Sequence, residues 1–330
     1  MTVDAAIIVI AFNEERSVGP CLNSLLTQDA ESTYEVIVVD DGSQDGTVKV
    51  VEQLQVQYRN LRLVRHEVNR GRGAARRSGQ DAAESPRIGF VDADIVVPSN
   101  WLKRCLEELD KLDGVSGIAQ PDGDCAVIWR ICKPTLRDRP GSAEITGNNV
   151  LFSREALTLV PFSPNSKLGE DFRLAKLMTR SGLRLRTIED LKVMHRETKT
   201  YWGAISWMWE SGVDSTSLLF EFRVIRPPDL AWFTWSVGCV VAVAAGVLGK
   251  VPVWQSIVVI AAFTLVINLL FIYSRFKPRP RPMRFLGVLM ISPPMMLAYL
   301  AGRSAGLFRA PLLLRRFRGS EVDPGNWTLT

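Results

Sequence analysis

The chain has 330 residues, 47% of them hydrophobic, with 40 basic and 35 acidic side chains. That length accommodates a soluble domain of ordinary size plus a further region. A net charge of +5 with a pI near 9.0 raises nucleic acid as a partner, but the basic excess is concentrated in one short stretch between apolar segments, which argues against it.

From the N-terminus, strand-like and helix-like stretches alternate. Ala5–Ala11 reads as a buried strand, Ser17–Leu26 as a helix, Glu35–Asp40 as a strand and Gly46–Gln57 as a helix. Leu61–Val64 continues as a strand, Gly73–Ala83 as a helix and Ile88–Asp92 as a strand. Such alternation predicts a mainly parallel sheet covered by helices. No basic segment precedes the first apolar run, which is too short for a signal peptide, so the N-terminal domain is expected to face the cytosol.

Polar clusters follow each strand: Phe12-Asn13-Glu14-Glu15, then Asp40 to Thr47, then Asn69 to Arg76, then Asp92-Ala93-Asp94. One such cluster is usually an ordinary turn. Four at successive strand ends point to one site, because ligands of open α/β sheets bind at the carboxyl edge. Asp92 and Asp94 suit a hard divalent cation that keeps positions free for phosphate oxygens. The glycine-rich stretch opening the third helix, with Arg72 and Arg76, suits a diphosphate.

Composition shifts near residue 223. No charge separates Asp229 from Lys250, Lys250 from Arg275, or Arg284 from Arg303. Each gap approaches the roughly 20 apolar residues that span a bilayer, which predicts three membrane helices at about 230–249, 252–274 and 285–302. Arg275, Lys277, Arg279, Arg281 and Arg284 mark a cytoplasmic loop. The basic tail, with Arg309, Arg315, Arg316 and Arg318, conflicts with a third span, and Pro293-Pro294 would kink it or permit a re-entrant turn. The aromatic stretch Tyr201 to Trp209 favours the membrane interface. The expected division is a cytosolic domain over 1–222, including an interfacial helix near 200–222, and a membrane domain over 223–330. The five cysteines show no metal-type pairing, fit a reducing compartment and read as packing residues.

The stretches Ala11-Phe12-Asn13-Glu14-Glu15, Val38 to Thr47, Asp92-Ala93-Asp94, Gly147 to Arg154 and Gly169-Glu170-Asp171 together resemble the family 2 glycosyltransferases with the GT-A fold. The resemblance covers roughly residues 4–200. It implies an α/β GT-A nucleotide-binding fold with a mainly parallel mixed sheet, followed here by a C-terminal α-helical membrane domain. It also implies a nucleotide-sugar donor, Mn²⁺ or Mg²⁺ as cofactor, and inverting transfer. Carried over by residue, Asn13, Glu14 and Asp41 hold the nucleotide with Ala11 lining the pocket, and Arg72 and Arg76 meet the diphosphate. Asp92, Ala93 and Asp94 attend ribose, metal and diphosphate, with Asp94 the direct metal ligand and His195 a further candidate. Asp171 is the expected catalytic base, with Glu170 as alternate.

Two membrane branches compete for the acceptor. Dolichyl-phosphate mannose synthases share the acidic triplet and the anchoring, but usually have Gln where this chain has Val96. Cellulose-synthase-like enzymes share an acidic pair like Glu170-Asp171, but processive members carry a Gln-X-X-Arg-Trp motif that Ser206-Trp207-Met208-Trp209-Glu210 does not reproduce. The implied enzyme is a non-processive hexosyltransferase of the cell membrane, facing the cytoplasm and acting in N-glycan or envelope glycan assembly. Its expected donor is GDP-mannose and its acceptor a dolichyl or other polyprenyl phosphate, or a glycan carried on one. A dolichyl-phosphate mannose synthase proper and a UDP-sugar-dependent polysaccharide-type synthase remain alternatives. Arg130 and Lys133 are candidate contacts for the lipid phosphate.

Overall fold

The computed structural model describes residues 3–122, 145, 147–164, 169–196, 200–222, 225, 227–275 and 282–318. They fall into two compact units, Met1–Ala126 with Thr135–Thr198, and the residues from Lys199 onward.

The first unit is built on an eight-stranded mixed sheet. Strands β1 (Ala5–Ala11), β2 (Tyr34–Asp40), β3 (Leu61–Arg65) and β4 (Arg87–Asp92) run parallel in the order β3-β2-β1-β4. Beyond β4 the sheet continues as β7 (Asn149–Ser153), β6 (Gly114–Pro121), β8 (Leu185–His195) and β5 (Ile95–Val96). Here β7 is antiparallel to both neighbours and β5 antiparallel to β8. The connecting helices are α1 (Val18–Leu26), α2 (Thr47–Gln55), α3 (Arg72–Ala82), α4 (Trp101–Leu109), α5 (Arg154–Leu159) and α6 (Glu170–Arg180). The elements expected from the apolar runs lie within two residues of these bounds.

The central strands are apolar almost throughout because they are covered on both faces, as parallel strands are. Ile8, Ile37, Ile88, Phe90, Val150 and Phe152 belong to one core cluster with Leu174 and Met178 of α6. The chain adds β2 and β3 on one side of β1, then crosses to place β4 on the other. Such a reversal opens a crevice beyond the carboxyl ends of β1 and β4.

The second unit contains α7 (Tyr201–Phe222), α8 (Pro227–Val247), α9 (Val253–Arg275) and α10 (Pro282–Arg318). Among the described residues two segments are long and apolar enough to cross a membrane, Pro228–Val247 and Val253–Ile272, with mean hydropathies of 1.8 and 2.4. They form an antiparallel hairpin tied by Trp235 Nε1–H donating to Thr264 Oγ1 (2.9 Å) and Ser256 Oγ–H to the Ala242 carbonyl (2.7 Å). The stretch 285–302, expected as a third span, lies inside α10, whose helix continues through Pro293-Pro294. Tyr201–Phe222, expected at the end of the N-terminal domain, packs within this second unit. The basic loop 276–281 and the tail beyond Arg318 lie outside the described residues.

Candidate active site

Three loops at the carboxyl edge are stitched together by their own polar groups. Asn13 takes a left-handed conformation (φ 56°), its N–H donates to Ser43 Oγ (2.9 Å) and its Oδ1 accepts from the Gln44 N–H (2.8 Å). The Glu14 N–H donates to Thr47 Oγ1 (2.8 Å) and the Glu15 N–H to Asp45 Oδ2 (3.1 Å), while the Glu14 carboxylate accepts from Ser17 Oγ. Asp41, nearly buried, accepts from the backbone N–H groups of Arg70 (2.9 Å) and Gly71 (2.8 Å), with His66 Nδ1 at 2.7 Å. The far ring nitrogen of His66 meets Ser78 Oγ on α3 at 2.9 Å. Gly71 has φ 91°, a conformation that glycine adopts without a Cβ penalty, and this turns its N–H toward Asp41. Asn13, Glu14 and Asp41 are therefore joints of the loop frame, and Ala11 is buried at the end of β1, opposite Asp40.

The second half of the site is organised by Arg76, whose side chain is only 2% exposed. Its guanidinium donates to Asp92 Oδ1 (2.8 Å) and to the Gly147 carbonyl (2.6 Å), and its Nε lies 3.5 Å from Glu170 Oε1. The rings of Phe162 and Phe90 flank it at 5.4 and 6.0 Å. Gly147 is needed there because a Cβ would press on both Arg76 and Asp171. Its N–H donates to Asp171 Oδ2 (3.3 Å), so β4, the Gly147 loop and the start of α6 meet at one point.

Asp171 Oδ1 also accepts from the Phe172 N–H (2.7 Å) in the first turn of α6, where a carboxylate is favoured by the helix dipole. Burial raises the pKa of the neighbouring Glu170; Arg76 pulls it down, Asp171 adds to the rise and Arg72 opposes it. The two adjacent acids therefore differ: Glu170 is buried against Arg76, and Asp171 is only partly buried. Arg72, an exposed residue at the start of α3, lies in the field of Asp92, Glu170, Asp94 and Asp171. Crowding of its guanidinium disfavours the charge, but those four carboxylates outweigh this and raise its pKa.

Asp94 Oδ2 lies 2.9 Å from Nε2 of the buried His195, because β5 pairs Ile95 with His195 across the sheet. Ala93 between the two acids is buried. Cys21 lies beneath them, its thiol 3.5 Å from the Asp92 carbonyl. Burial raises its pKa well above the usual thiol range, and Asp94, Asp92 and Glu14 add to that, so it stays a packing residue. Among the described residues no three His, Cys, Asp or Glu groups converge as a self-sufficient metal cage. Arg130 and Lys133 lie outside the described residues.

The profile of Glycosyl transferase family 2 matches residues 6–158. Residues 6–158 are thus similar to the family 2 glycosyltransferases. Glycosyltransferase AglE of Haloferax volcanii is 26% identical over 200 residues, which cover 58% of this chain and 66% of AglE. The poly(ribitol-phosphate) beta-glucosyltransferase of Bacillus spizizenii is 32% identical over 127 residues, 35% of this chain and 20% of that one. The match thus spans less than two thirds of either relative's length. The structure of mannosyltransferase PcManGT from Pyrobaculum calidifontis, in complex with GDP-Man and Mn²⁺, aligns with a TM-score of 0.59 at 18% identity, over 94% of this chain and 88% of that one. The shared architecture is the GT-A fold.

The family 2 match ends at residue 158, so Glu170, Asp171 and His195 enter the site from beyond it, carried by α6 and β8. Two residues absent from the sequence-derived site prove central to its framework. Gly147 joins Arg76 to Asp171, and His66 joins Asp41 to α3. A signal for His66 was available, since the chain has only two histidines and both follow or end strands of the sheet. In the structure each pairs with an acid of the Asp41 and Asp94 clusters.

Proposed function

We propose that this chain transfers one hexose from a nucleotide-sugar donor to a polyprenyl-phosphate lipid, or to a glycan carried on one, at the cytosolic face of the cell membrane. The observation that carries the reading is the convergence of Asp92, Glu170 and Asp171 on Arg76 and Gly147 at the sheet edge, with Arg72 and Asp94 in the same electrostatic field. GDP-mannose is the proposed donor, supported by the GDP-Man in complex with PcManGT. The Asp41 frame holds the nucleotide side of the crevice, and Arg72 meets the diphosphate.

The carboxylates of Asp94 and Asp92 suit a hard ion such as Mn²⁺ or Mg²⁺, and His195 Nε2, 2.9 Å from Asp94 Oδ2, orients that carboxylate or would offer Mn²⁺ a nitrogen. Asp94 would hold the ion with Asp92 beside it, and donor oxygens and water would fill its remaining positions. When bound, such an ion neutralises charge developing on the departing diphosphate. Where the acceptor is a glycan hydroxyl, Asp171 takes its proton, its side chain aimed by the Gly147 N–H and the first turn of α6, whereas a lipid phosphate is already anionic and needs no base. Arg76 keeps Asp92 and Glu170 in place and does not need to touch the donor.

A second reading concerns the sugar. The Bacillus spizizenii relative is a glucosyltransferase by name, so UDP-glucose belongs in any donor screen. The test is incubation of the purified chain with Mn²⁺ and labelled GDP-mannose or UDP-sugars, with and without dolichyl phosphate. The expected product is a labelled glycolipid formed from GDP-mannose. Absence of both donor binding and sugar transfer across the screen would reject the reading.

A further inference from the structure

The helix α10 was expected to cross the membrane, yet its contacts place it otherwise. The hairpin of α8 and α9 has a ruler of its own: Trp235 is level with Thr264 and Ala242 with Ser256, so Asp229 is level with the region of Ile272. Val288 of α10 packs with Ile272, and Ser292 takes a hydrogen bond from the buried Asn268 (2.9 Å). Further along, Met296 and Leu300 pack with Trp232 and Trp235. Arg303 pairs with Asp229, and Trp232 Nε1–H donates to Ser304 Oγ (3.1 Å). From Val288 to Ser304 the helix advances about 24 Å at 1.5 Å per residue. Over that distance these partners stay within the first turns of α8 and the last turns of α9. A third span running alongside α9 would instead have reached the level of Ala242 and Ser256. The far part of the hairpin is bare, with Val240, Val247 and Trp254 exposed.

What α10 does follow is α7. Tyr201 Oη–H donates to the Ile291 carbonyl (2.9 Å) and Thr216 Oγ1–H to the Arg303 carbonyl (2.8 Å), so the two helices run parallel. Gly212, Gly302 and Gly306 bring their backbones into close approach. The remaining surface of α7 is divided. Trp202, Trp209 and Phe220, at 75%, 38% and 47% exposure, are separated by close to whole numbers of turns; they are exposed toward the two ends of a face whose middle, Val213 and Thr216, is covered by α10. Glu210 and Glu221 lie about a quarter turn away, so each exposed aromatic end of α7 borders an acidic residue. Exposed tryptophans next to charge, attached to a hairpin long enough to span, match the boundary between hydrocarbon and headgroups.

We infer that α7 and α10 form a two-helix platform lying in the bilayer interface across the open end of the α8–α9 hairpin, and that α10 is not a third span. The occupant of the exposed aromatic positions Trp202, Trp209 and Phe220 is the lipid surface itself. This arrangement also removes the charge conflict in the sequence: the basic loop 276–281 and the tail with Arg309, Arg315, Arg316 and Arg318 stay on one side, as the positive-inside rule asks. The inference is independent of which sugar or acceptor the first unit uses.

The test is a protease-cleavable epitope placed after Thr330 in one full-length variant and after Gly249, in the α8–α9 turn, in another. Cleavage is read in sealed right-side-out and inside-out vesicles, with detergent-opened vesicles as the reference for complete cleavage. The two epitopes are expected to be cut from opposite faces. Cutting of both from the same face, or protection of the Thr330 epitope from both faces, overturns the inference. As an independent readout, the tryptophan emission lost in the Trp202→Ser, Trp209→Ser double variant should be quenched more by lipids brominated near the headgroup than at the chain ends. The reverse order would refute the interfacial placement.

Discussion

Arg76→Met tests whether the site is held together through one buried guanidinium. The substitution keeps length and apolar stem but removes the donors to Asp92 and the Gly147 carbonyl and the charge beside Glu170. Arg76 and Glu170 are 2% and 4% exposed, so solvent does little to screen the pair. Removing one partner of a buried pair costs about 3–5 kcal/mol, because the carboxylate left behind is neither hydrated nor compensated. That is a large share of the ~5–15 kcal/mol by which domains are stable. With a urea slope near 2 kcal/mol/M, the midpoint should fall by about 1.5–2.5 M. Pulse proteolysis in urea, followed with an N-terminal tag on the full chain, reads the first unit separately from the helical one. The double variant Arg76→Met, Glu170→Gln removes the stranded charge and should recover at least about 1 kcal/mol, as coupled neighbours do. A midpoint shift under about 0.5 M in the single variant, or purely additive losses in the double, would refute the view of Arg76 as the keystone.

Three further outcomes are expected. Asp171→Asn should leave donor binding intact and lower transfer to a hydroxyl acceptor by about 10²–10⁴-fold in a labelled-sugar assay; undiminished transfer to such an acceptor means the base is elsewhere. His195→Gln should weaken Mn²⁺-dependent nucleotide binding by about 10–100-fold, seen by calorimetry as a loss that vanishes when both proteins are measured in EDTA. Glu170 sets a pH dependence. Its carboxyl is raised above the ordinary 4.5 mainly by burial, so the stability it contributes is complete below 4.5 and is lost as pH rises through the folded value. Glu170→Gln removes that loss, and the stability difference between wild type and variant should move against wild type as pH climbs above 4.5; a flat difference contradicts the burial argument.

The first half of the fold was legible because its strands are fully covered and therefore apolar without interruption, as Ala5–Ala11 and Ile88–Val91 are. The strands of the second half are different. β8, Leu185–His195, alternates buried and exposed residues and carries Glu189, Asp190 and Lys192, and β5 has only two residues. The site acids were visible as types at strand ends, but their partners were not, since Arg76 to Gly147 and Asp94 to His195 are separated by 71 and 101 positions. Arg76 illustrates the limit. An arginine one turn into a helix that opens on glycines reads as a phosphate ligand, while the structure uses it internally and leaves the exposed place in the same helix to Arg72. The third apolar segment meets a related limit: length and hydropathy describe a helix, and only its neighbours say whether it follows the hairpin or crosses its end.

Charge at the site gives the proposed cation a physical reason. Asp92, Asp94, Glu170 and Asp171 face Arg72 and Arg76, so four carboxylates meet two guanidiniums. Arg76 is already engaged by Asp92, Glu170 and Gly147. A nucleoside diphosphate entering that crevice, as proposed, would meet Asp92 and Asp94 with Arg72 as the exposed one of those two guanidiniums. Like charges 4 Å apart near a protein surface repel by about 4 kcal/mol, which is comparable to a thousandfold loss of affinity. In the proposed reaction the acids at the end of β4 would repel the donor when bare and would recruit it with a divalent ion between them. Metal and donor should consequently bind as one unit, each raising the affinity for the other by the same factor, and neither tightly alone.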